Sequence, residues 1–425
     1  MTNTIFALSS GAPPAAIGVV RVSGPKARDA LLDLAGRVPA PRRAALARLR
    51  DRQGAVIDEA LVLWLPGPGT ETGEDTAELQ CHGGRAVIAA VETALAAIPG
   101  LRRAKPGEFT RRAFLNGKID LAEAEGLADL LEAETELQRL SAMAMAGGAF
   151  SREVHGWRDQ LLGLSAAVEA VLDFADEDDV ATLPVDFAVK IDVLARAIKT
   201  WLDRPRAELL KEGFRVVVAG PPNAGKSTLF NVLVEAEAAI ATPIAGTTRD
   251  VLTRPVAIAG VPFLFADTAG LHDAVDDVVE AIGIERALEA LDRADLVLWL
   301  GPEGAGPPGA WEIAGQIDKE GYLAKAAPRH RISAKTGAGI EALRSDLVET
   351  ASQALPRPGE AALNERQHDL LGEARTALAQ ATEHADPLLI AEALRIARVA
   401  FDSLLGQTAT EDMLDTLFGR FCIGK

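Results

Sequence analysis

The segment Gly220-Pro221-Pro222-Asn223-Ala224-Gly225-Lys226-Ser227 constrains this chain more than any other stretch. It fits the pattern G-x-x-x-x-G-K-[ST], in which backbone N–H groups wrap phosphates at the start of a helix. The flanks suit it: Phe214 to Ala219 is apolar and β-branched, as a buried strand is, and Thr228 to Leu233 can begin a helix. Such a loop obliges its surroundings to form a strand–loop–helix unit within an α/β sheet. Asn223, Ala224, Gly225, Lys226, Ser227 and Thr228 are then candidate nucleotide contacts. Lys226 is expected to reach the β- and γ-phosphates, and the Ser227 hydroxyl to hold Mg²⁺.

Further signals follow in the order a GTP-hydrolysing switch requires. Gly246-Thr247-Thr248-Arg249-Asp250 lies beyond the first helix, with Thr248 placed to complete the Mg²⁺ shell and sense the γ-phosphate. Leu264 to Asp267 reads as a strand running into Asp267-Thr268-Ala269-Gly270. There Asp267 would hold Mg²⁺ through water and the Gly270 N–H would bond the γ-phosphate. Ser333-Ala334-Lys335 follows a short strand, Arg329 to Ile332, and is placed to touch guanine through its backbone. The guanine-reading element is degenerate. Where N-K-x-D is usual stands Gly315-Gln316-Ile317-Asp318, so only the base-pairing Asp318 remains. The Asn that ties this element to the phosphate loop and the Lys stem that covers the base are absent, and looser guanine binding is expected. The water-orienting Gln is missing too: Leu271 and His272 follow the glycine, and Asp273, Asp276, Asp277 and Glu280 lie downstream. His272 reads either as a general base or as a solvent-facing loop residue.

At 425 residues, two to four domains are expected. Residues 1–117 mix strand-like runs (Ile17 to Val22, Ala60 to Leu65) with a helix from Ala86 to Ile98, which reads as an α+β domain. From Leu121 to Phe174 apolar residues recur at helical spacing, and Val189 to Leu210 continues the pattern. Strand–helix alternation begins at Phe214, breaks over Ala351 to Pro358, and gives way to helices from Asn364 onward. That order predicts an all-α helical domain made of 118–212 and 352–425, with an α/β P-loop (Ras-like) module at 213–351 set into it; four beads on a string is the alternative. No run of 18 apolar residues occurs, and no basic-then-apolar leader is read at the start. Two cysteines, Cys81 and Cys422, make no disulfide framework, which fits a cytoplasmic protein. The net charge of −17, from 61 acids against 44 bases, repels polyanions. Nucleic-acid binding would need local patches. Arg42 to Arg52 and Arg102 to Arg112 are the two candidates, unless they are ordinary solvated faces.

With these residues in view, the chain resembles the MnmE (TrmE) family of tRNA uridine-modification GTPases over nearly its full length. The resemblance rests on Gly18-Val19-Val20-Arg21-Val22-Ser23-Gly24-Pro25, Thr72-Gly73-Glu74-Asp75, Glu78-Leu79-Gln80 and Cys81-His82-Gly83-Gly84. It also rests on Pro106 to Lys118 and on the final Phe421-Cys422-Ile423-Gly424-Lys425. It implies an N-terminal folate-binding and dimerising domain, a helical domain and an inserted G domain. It implies a homodimer and a flavoprotein partner, MnmG, that carries FAD and uses NADH. Together they would place a carboxymethylaminomethyl-type group on C5 of the wobble uridine of certain tRNAs, with carbon from a 5,10-methylene or 5-formyl tetrahydrofolate.

By the same resemblance Arg21, Glu78, Lys118 and Lys425 would contact the folate. Asn223, Thr242, Thr247 and the Ile244 carbonyl would hold K⁺, within a nucleotide-binding run that also takes in Pro243, Ala245, Gly246 and Thr248. Glu280 would orient water, beside Thr248 and Gly270 as catalytic candidates. Two features depart from the family: the guanine element, and a Gly/Pro-rich link between Leu300 and Trp311 where a helix is usual. Cys422 is four residues from the end, but Gly424 and Lys425 do not suit prenylation; a structural or positioning role fits it better. A ribosome-assembly GTPase or a chemistry-free adaptor is the competing class, and the acidic charge and Cys-Ile-Gly-Lys tail argue against it.

Overall fold

The computed structural model describes residues 3–173, 182–235, 253–267 and 290–424. The chain divides into two units, Met1–Ala128 with Phe401–Lys425, and Asp129–Ala400.

The first unit is built on a six-stranded sheet. Its strands are β1 (Thr4–Leu8), β2 (Ile17–Ser23), β3 (Ala45–Arg50), β4 (Val56–Leu65), β5 (Thr76–His82) and β6 (Leu101–Arg103), in the order β3-β4-β5-β2-β1-β6. All pairs are antiparallel except β1–β6. The alternation of buried and open positions along β3 and β4 is what a sheet with one covered face produces. Helices α1 (Ala27–Ala35) and α2 (Arg85–Ala96) cover that face, sending Leu31, Leu34, Ile88, Val91 and Leu95 into a core with Val20, Val22, Val62 and Leu79. Helix α3 (Glu108–Leu115) follows β6, and α4 (Leu121–Glu132) follows α3. Near the end of the chain α13 (Glu411–Gly419) packs Leu414, Leu417 and Phe418, together with Phe421, against Leu121, Ala124 and Ala128 of α4.

The second unit begins with α5 (Glu136–Ala146), α6 (Ala149–Asp173), α7 (Phe187–Leu202) and α8 (Ala207–Glu212). The helical pattern from Val189 to Leu210 predicts one continuous run. Two helices form instead, because Pro205 lies between them and excludes helical backbone at the residue before it. Strands β7 (Phe214–Ala219), β8 (Thr253–Ile258), β9 (Val261–Asp267), β10 (Leu296–Trp299), β11 (Trp311–Ala314) and β12 (His330–Arg331) make the second sheet, ordered β12-β11-β10-β7-β9-β8. It is parallel except for the edge strand β8. Helix α9 (Lys226–Glu235) follows β7, and α10 (Ile340–Ala354), α11 (Glu365–Glu383) and α12 (Pro387–Leu404) follow β12. The central strands are almost wholly apolar (Val216, Val218, Phe263, Phe265 and Leu298 are all buried), as strands covered on both faces must be. In the helices Phe150, Trp157 and Trp201 form one aromatic cluster.

The parallel pair β10–β11 is joined by residues 300–310 without a helix. Polar side chains hold this link instead. Gly304 N–H donates to Glu312 Oε1 at 2.9 Å, and Lys325 Nζ donates to Glu312 Oε2 at 2.5 Å and to the Trp299 carbonyl at 2.8 Å. Glu303 accepts from the N–H groups of Ala326 and Ala327 at 2.6 and 2.9 Å.

Candidate functional site

β7 carries the chain into the phosphate loop at Gly220, where φ is 148° and a Cβ would lie 3.0 Å from Gly301 N. Asn223 and Gly225 also take positive φ, 62° and 93°, and α9 starts at Lys226. The loop's N–H groups and the helix start therefore share one concavity, which favours an anion. Lys226 is 5% exposed and donates from Nζ to the Pro221 carbonyl at 3.0 Å. Burial pushes its pKa down, and the charge of Asp267 opposes that shift. Asp267, buried, ends β9 directly beside Val218 of β7. Ser227 and Thr228 are exposed on the first turn of α9. A hydroxyl and a carboxylate brought to the phosphate loop are the hard oxygen donors that Mg²⁺ takes alongside phosphate oxygens.

A cavity of about 260 Å³ adjoins the loop, lined by Ala224, Thr228, Leu300, Gln316, Asp318 and Lys335 among others. Asp318 Oδ1 accepts from Ser333 Oγ at 2.6 Å, and this bond holds the Asp318 carboxyl below its usual range. Ser333 is fully buried, and its hydroxyl also accepts from Thr336 N–H at 3.1 Å, so the Ser333-Ala334-Lys335 turn is fixed against Asp318. The tie between this element and the phosphate loop is present, made by the neighbouring side chain: Gln316 Nε2 donates to the Asn223 carbonyl at 3.2 Å. Gln316 adopts φ 57°, a backbone turn that local sequence does not announce. Thr242, Pro243, Ile244, Ala245, Gly246, Thr247, Thr248, Thr268, Ala269, Gly270, Leu271, His272, Asp273, Asp276, Asp277 and Glu280 lie outside the described residues.

In the first unit, Arg21 on β2 faces Glu78 on β5 in register, and its Nε donates to Glu78 Oε1 at 3.1 Å. Arg21 also pairs with Glu71, and its guanidinium lies 6.0 Å from the centre of the Phe109 ring. Lys118 is exposed, with its stem 3.3 Å from where a Cβ on Gly73 would sit. Asn116 Nδ2 donates to the Thr72 carbonyl at 2.7 Å, so the loop from Glu71 to Glu74 runs between Arg21 and Lys118. Lys425 is outside the described residues, but Gly424 reaches β1: a Cβ there would lie 2.1 Å from the Leu8 carbonyl, and β1 pairs with β2 through Ala7 opposite Arg21.

Behind this surface Arg112, 1% exposed, pairs with Glu74 and Glu108, and Ser23 Oγ donates to Glu74 Oε2 at 2.8 Å. Burial would raise the pKa of Glu108. Donors on Arg102, Lys105 N–H and Arg112 outweigh it and hold the carboxyl at about 2. The basic run from Arg102 to Arg112 is consequently no free patch: Arg102 pairs with Glu108, Arg103 with Glu92, and Arg111 with Glu411 and Asp415. Cys81 is buried, and burial, with the nearby charge of Asp58, pushes its thiol up to about 12. Cys422 is exposed.

Two family models match, "GTP-binding protein TrmE N-terminus" over residues 4–118 and "MnmE helical domain" over residues 121–422. The tRNA modification GTPase MnmE of Erythrobacter litoralis is 64% identical over 423 residues, covering 100% of both chains. The chain belongs to the MnmE family. Its relative of the same description in Novosphingobium aromaticivorans is 63% identical over 437 residues, again covering 100% of both chains. The G domain of the FeoB iron transporter of T. maritima is 23% identical, with 32% of this chain and 98% of that chain covered and a TM-score of 0.23. In this MnmE-family chain the layout is an α+β N-terminal domain, a helical domain and an α/β P-loop domain. Among the described residues no helix is long and apolar enough to cross a membrane. Gln316, Glu71, Asn116 and Arg112 went unassigned from sequence. The only signal for Gln316 was its position in the degenerate element, and Arg112 reads as one more surface arginine until its burial is known.

Proposed function

We propose that this chain hydrolyses GTP as part of tRNA wobble-uridine modification. The observation that carries the reading is the meeting of Lys226, Asp267 and the Asp318–Ser333 pair around one phosphate loop and one adjoining cavity. Guanine in that cavity would give its ring and amino N–H groups to Asp318. Lys226 would exchange the Pro221 carbonyl for phosphate oxygens, regaining a partner for a charge that burial disfavours. Ser227 and Thr248 would hold Mg²⁺, with Asp267 behind it. Asn223, Thr242, Ile244 and Thr247 would hold K⁺; the ions supply positive charge where phosphate charge develops. Glu280, with Thr248 and Gly270, would orient the attacking water.

In the N-terminal domain Arg21, Glu78, Lys118 and Lys425 would hold a tetrahydrofolate derivative, cations for its glutamate tail and a carboxylate for pterin N–H groups. We further propose a division at 1–117, 118–212 with 352–425, and 213–351. The partners would be a second copy through the N-terminal domain, an MnmG-like flavoprotein that carries the FAD, and tRNA, in the cytoplasm. Rates of GTP hydrolysis in KCl and in NaCl test the ion assignment: a clear preference for K⁺ is expected, and equal rates overturn it. Tetrahydrofolate binding separates this reading from a ribosome-assembly or adaptor GTPase, which would bind none.

A further inference from the structure

The guanine element of this chain lacks the two residues that ordinarily join it to the phosphate loop and cover the base. The geometry shows what has taken their place. Gln316 Nε2 donates to the Asn223 carbonyl at 3.2 Å, and the Gln316 side chain lines the cavity beside Asp318. Both partners hold left-handed backbone, φ 57° at Gln316 and 62° at Asn223. Non-glycine residues seldom adopt it, and it persists only where surrounding contacts over-determine it. Gly225 completes the fit: a Cβ there would stand 2.9 Å from Gln316 Nε2, so the second glycine of the loop leaves the room through which the amide approaches.

We propose that Gln316 is a nucleotide-affinity determinant of this chain, a clasp whose amide ties the base side of the cavity to the phosphate loop while its stem walls the cavity. The proposal rests on the guanine-nucleotide reading above and deepens it. A nucleotide held this way is gripped at base and phosphates by one connected unit, so neither side opens without the other. Gln316 acts as a positioning residue: it sets Asn223 and, through the shared turn, Asp318.

The test is release of a fluorescent GDP analogue from the full chain. Gln316→Met keeps the length of the side chain and removes the donor; release roughly three- to tenfold faster is expected, the worth of one hydrogen bond. Gln316→Ala also removes the stem and releases faster still. Inorganic pyrophosphate has no base to grip, and its own affinity should be the same for wild type and Gln316→Met. Should Gln316→Met fold poorly, Gln316→Asn, which keeps the amide but is too short to reach Asn223, is expected to show the same acceleration. Unchanged GDP release in a folded variant overturns the clasp and leaves the GTPase reading standing. Pyrophosphate affinity that falls by the same factor as GDP affinity also overturns it, since Gln316 would then only prop the phosphate loop. Wild type that binds no guanine nucleotide overturns the functional reading itself.

Discussion

Glu108 shows how a single carboxyl can make a domain sensitive to acid. Its folded pKa, about 2, lies below the ordinary 4.5 because Arg102, Lys105 N–H and Arg112 donate to the charged form and overcome its burial. A carboxyl depressed on folding contributes stability that is fully present above its unfolded value and is lost as the pH falls through the folded one. The first unit should therefore weaken between about pH 5 and pH 2. Hydrogen exchange of the β2 and α3 segments, referred at each pH to the rate of the unfolded chain, is expected to show protection falling from pH 6 to pH 3 for the native chain. Glu108→Gln should be less protected at pH 6 and show a shallower pH response; an unchanged slope would assign the sensitivity elsewhere. The sequence marked Glu108 as part of a motif. It could not mark it as buried between two arginines, because that depends on β6, α3 and the Glu74 loop meeting.

Elements lock together at points where only glycine fits. Gly107, the residue before α3, has φ 64°, and a Cβ on it would stand 2.2 Å from the carbonyl oxygen of Phe418 in α13. Backbone cannot move aside as a flexible side chain can. Gly107→Ala should destabilise the first unit by about 2–4 kcal/mol, combining left-handed strain with separation of α3 from α13. Arg111 bridges the same two helices to Glu411 and Asp415, both well exposed. Arg111→Ala should therefore cost less than about 1 kcal/mol. Urea unfolding of both variants gives the comparison, and similar losses would refute it. Most elements were legible because their signal is local: the apolar run of β7, the spacing of α2, the alternation of β4. The α7–α8 break was written in Pro205, and periodicity alone passed over it. The docking of α3 on α13 is of another kind, since Arg111 and Asp415 are 304 positions apart and neither segment hints at the other.

For the molecule as a whole, the decisive fact is that the first unit draws on residues from both parts of the chain that flank the second. Phe418 lies 6.1 Å from the Phe114 ring and 6.0 Å from Phe421, and with Leu414 and Leu417 these rings cover α4. A fragment of residues 1–128 should therefore expose Leu121, Ala124 and Ala128, melt at a lower temperature and aggregate; a peptide of residues 401–425 added in trans should restore it. A fragment as stable alone as with the peptide would show that the cover is dispensable. The strand–loop–helix course of Phe214 to Glu235 was legible, because a motif of fixed spacing specifies it. The pairing of Arg21 with Glu78 was not legible, because strand register, and not sequence distance, puts those two side chains opposite each other. Such a composite unit also imposes an order on synthesis. About 270 residues separate Ala128 from Phe401, and at 5–20 residues per second a ribosome needs tens of seconds to deliver the missing helix. For that interval the newborn N-terminal segment carries an uncovered greasy flank, and it is then that chaperones would have most cause to hold it.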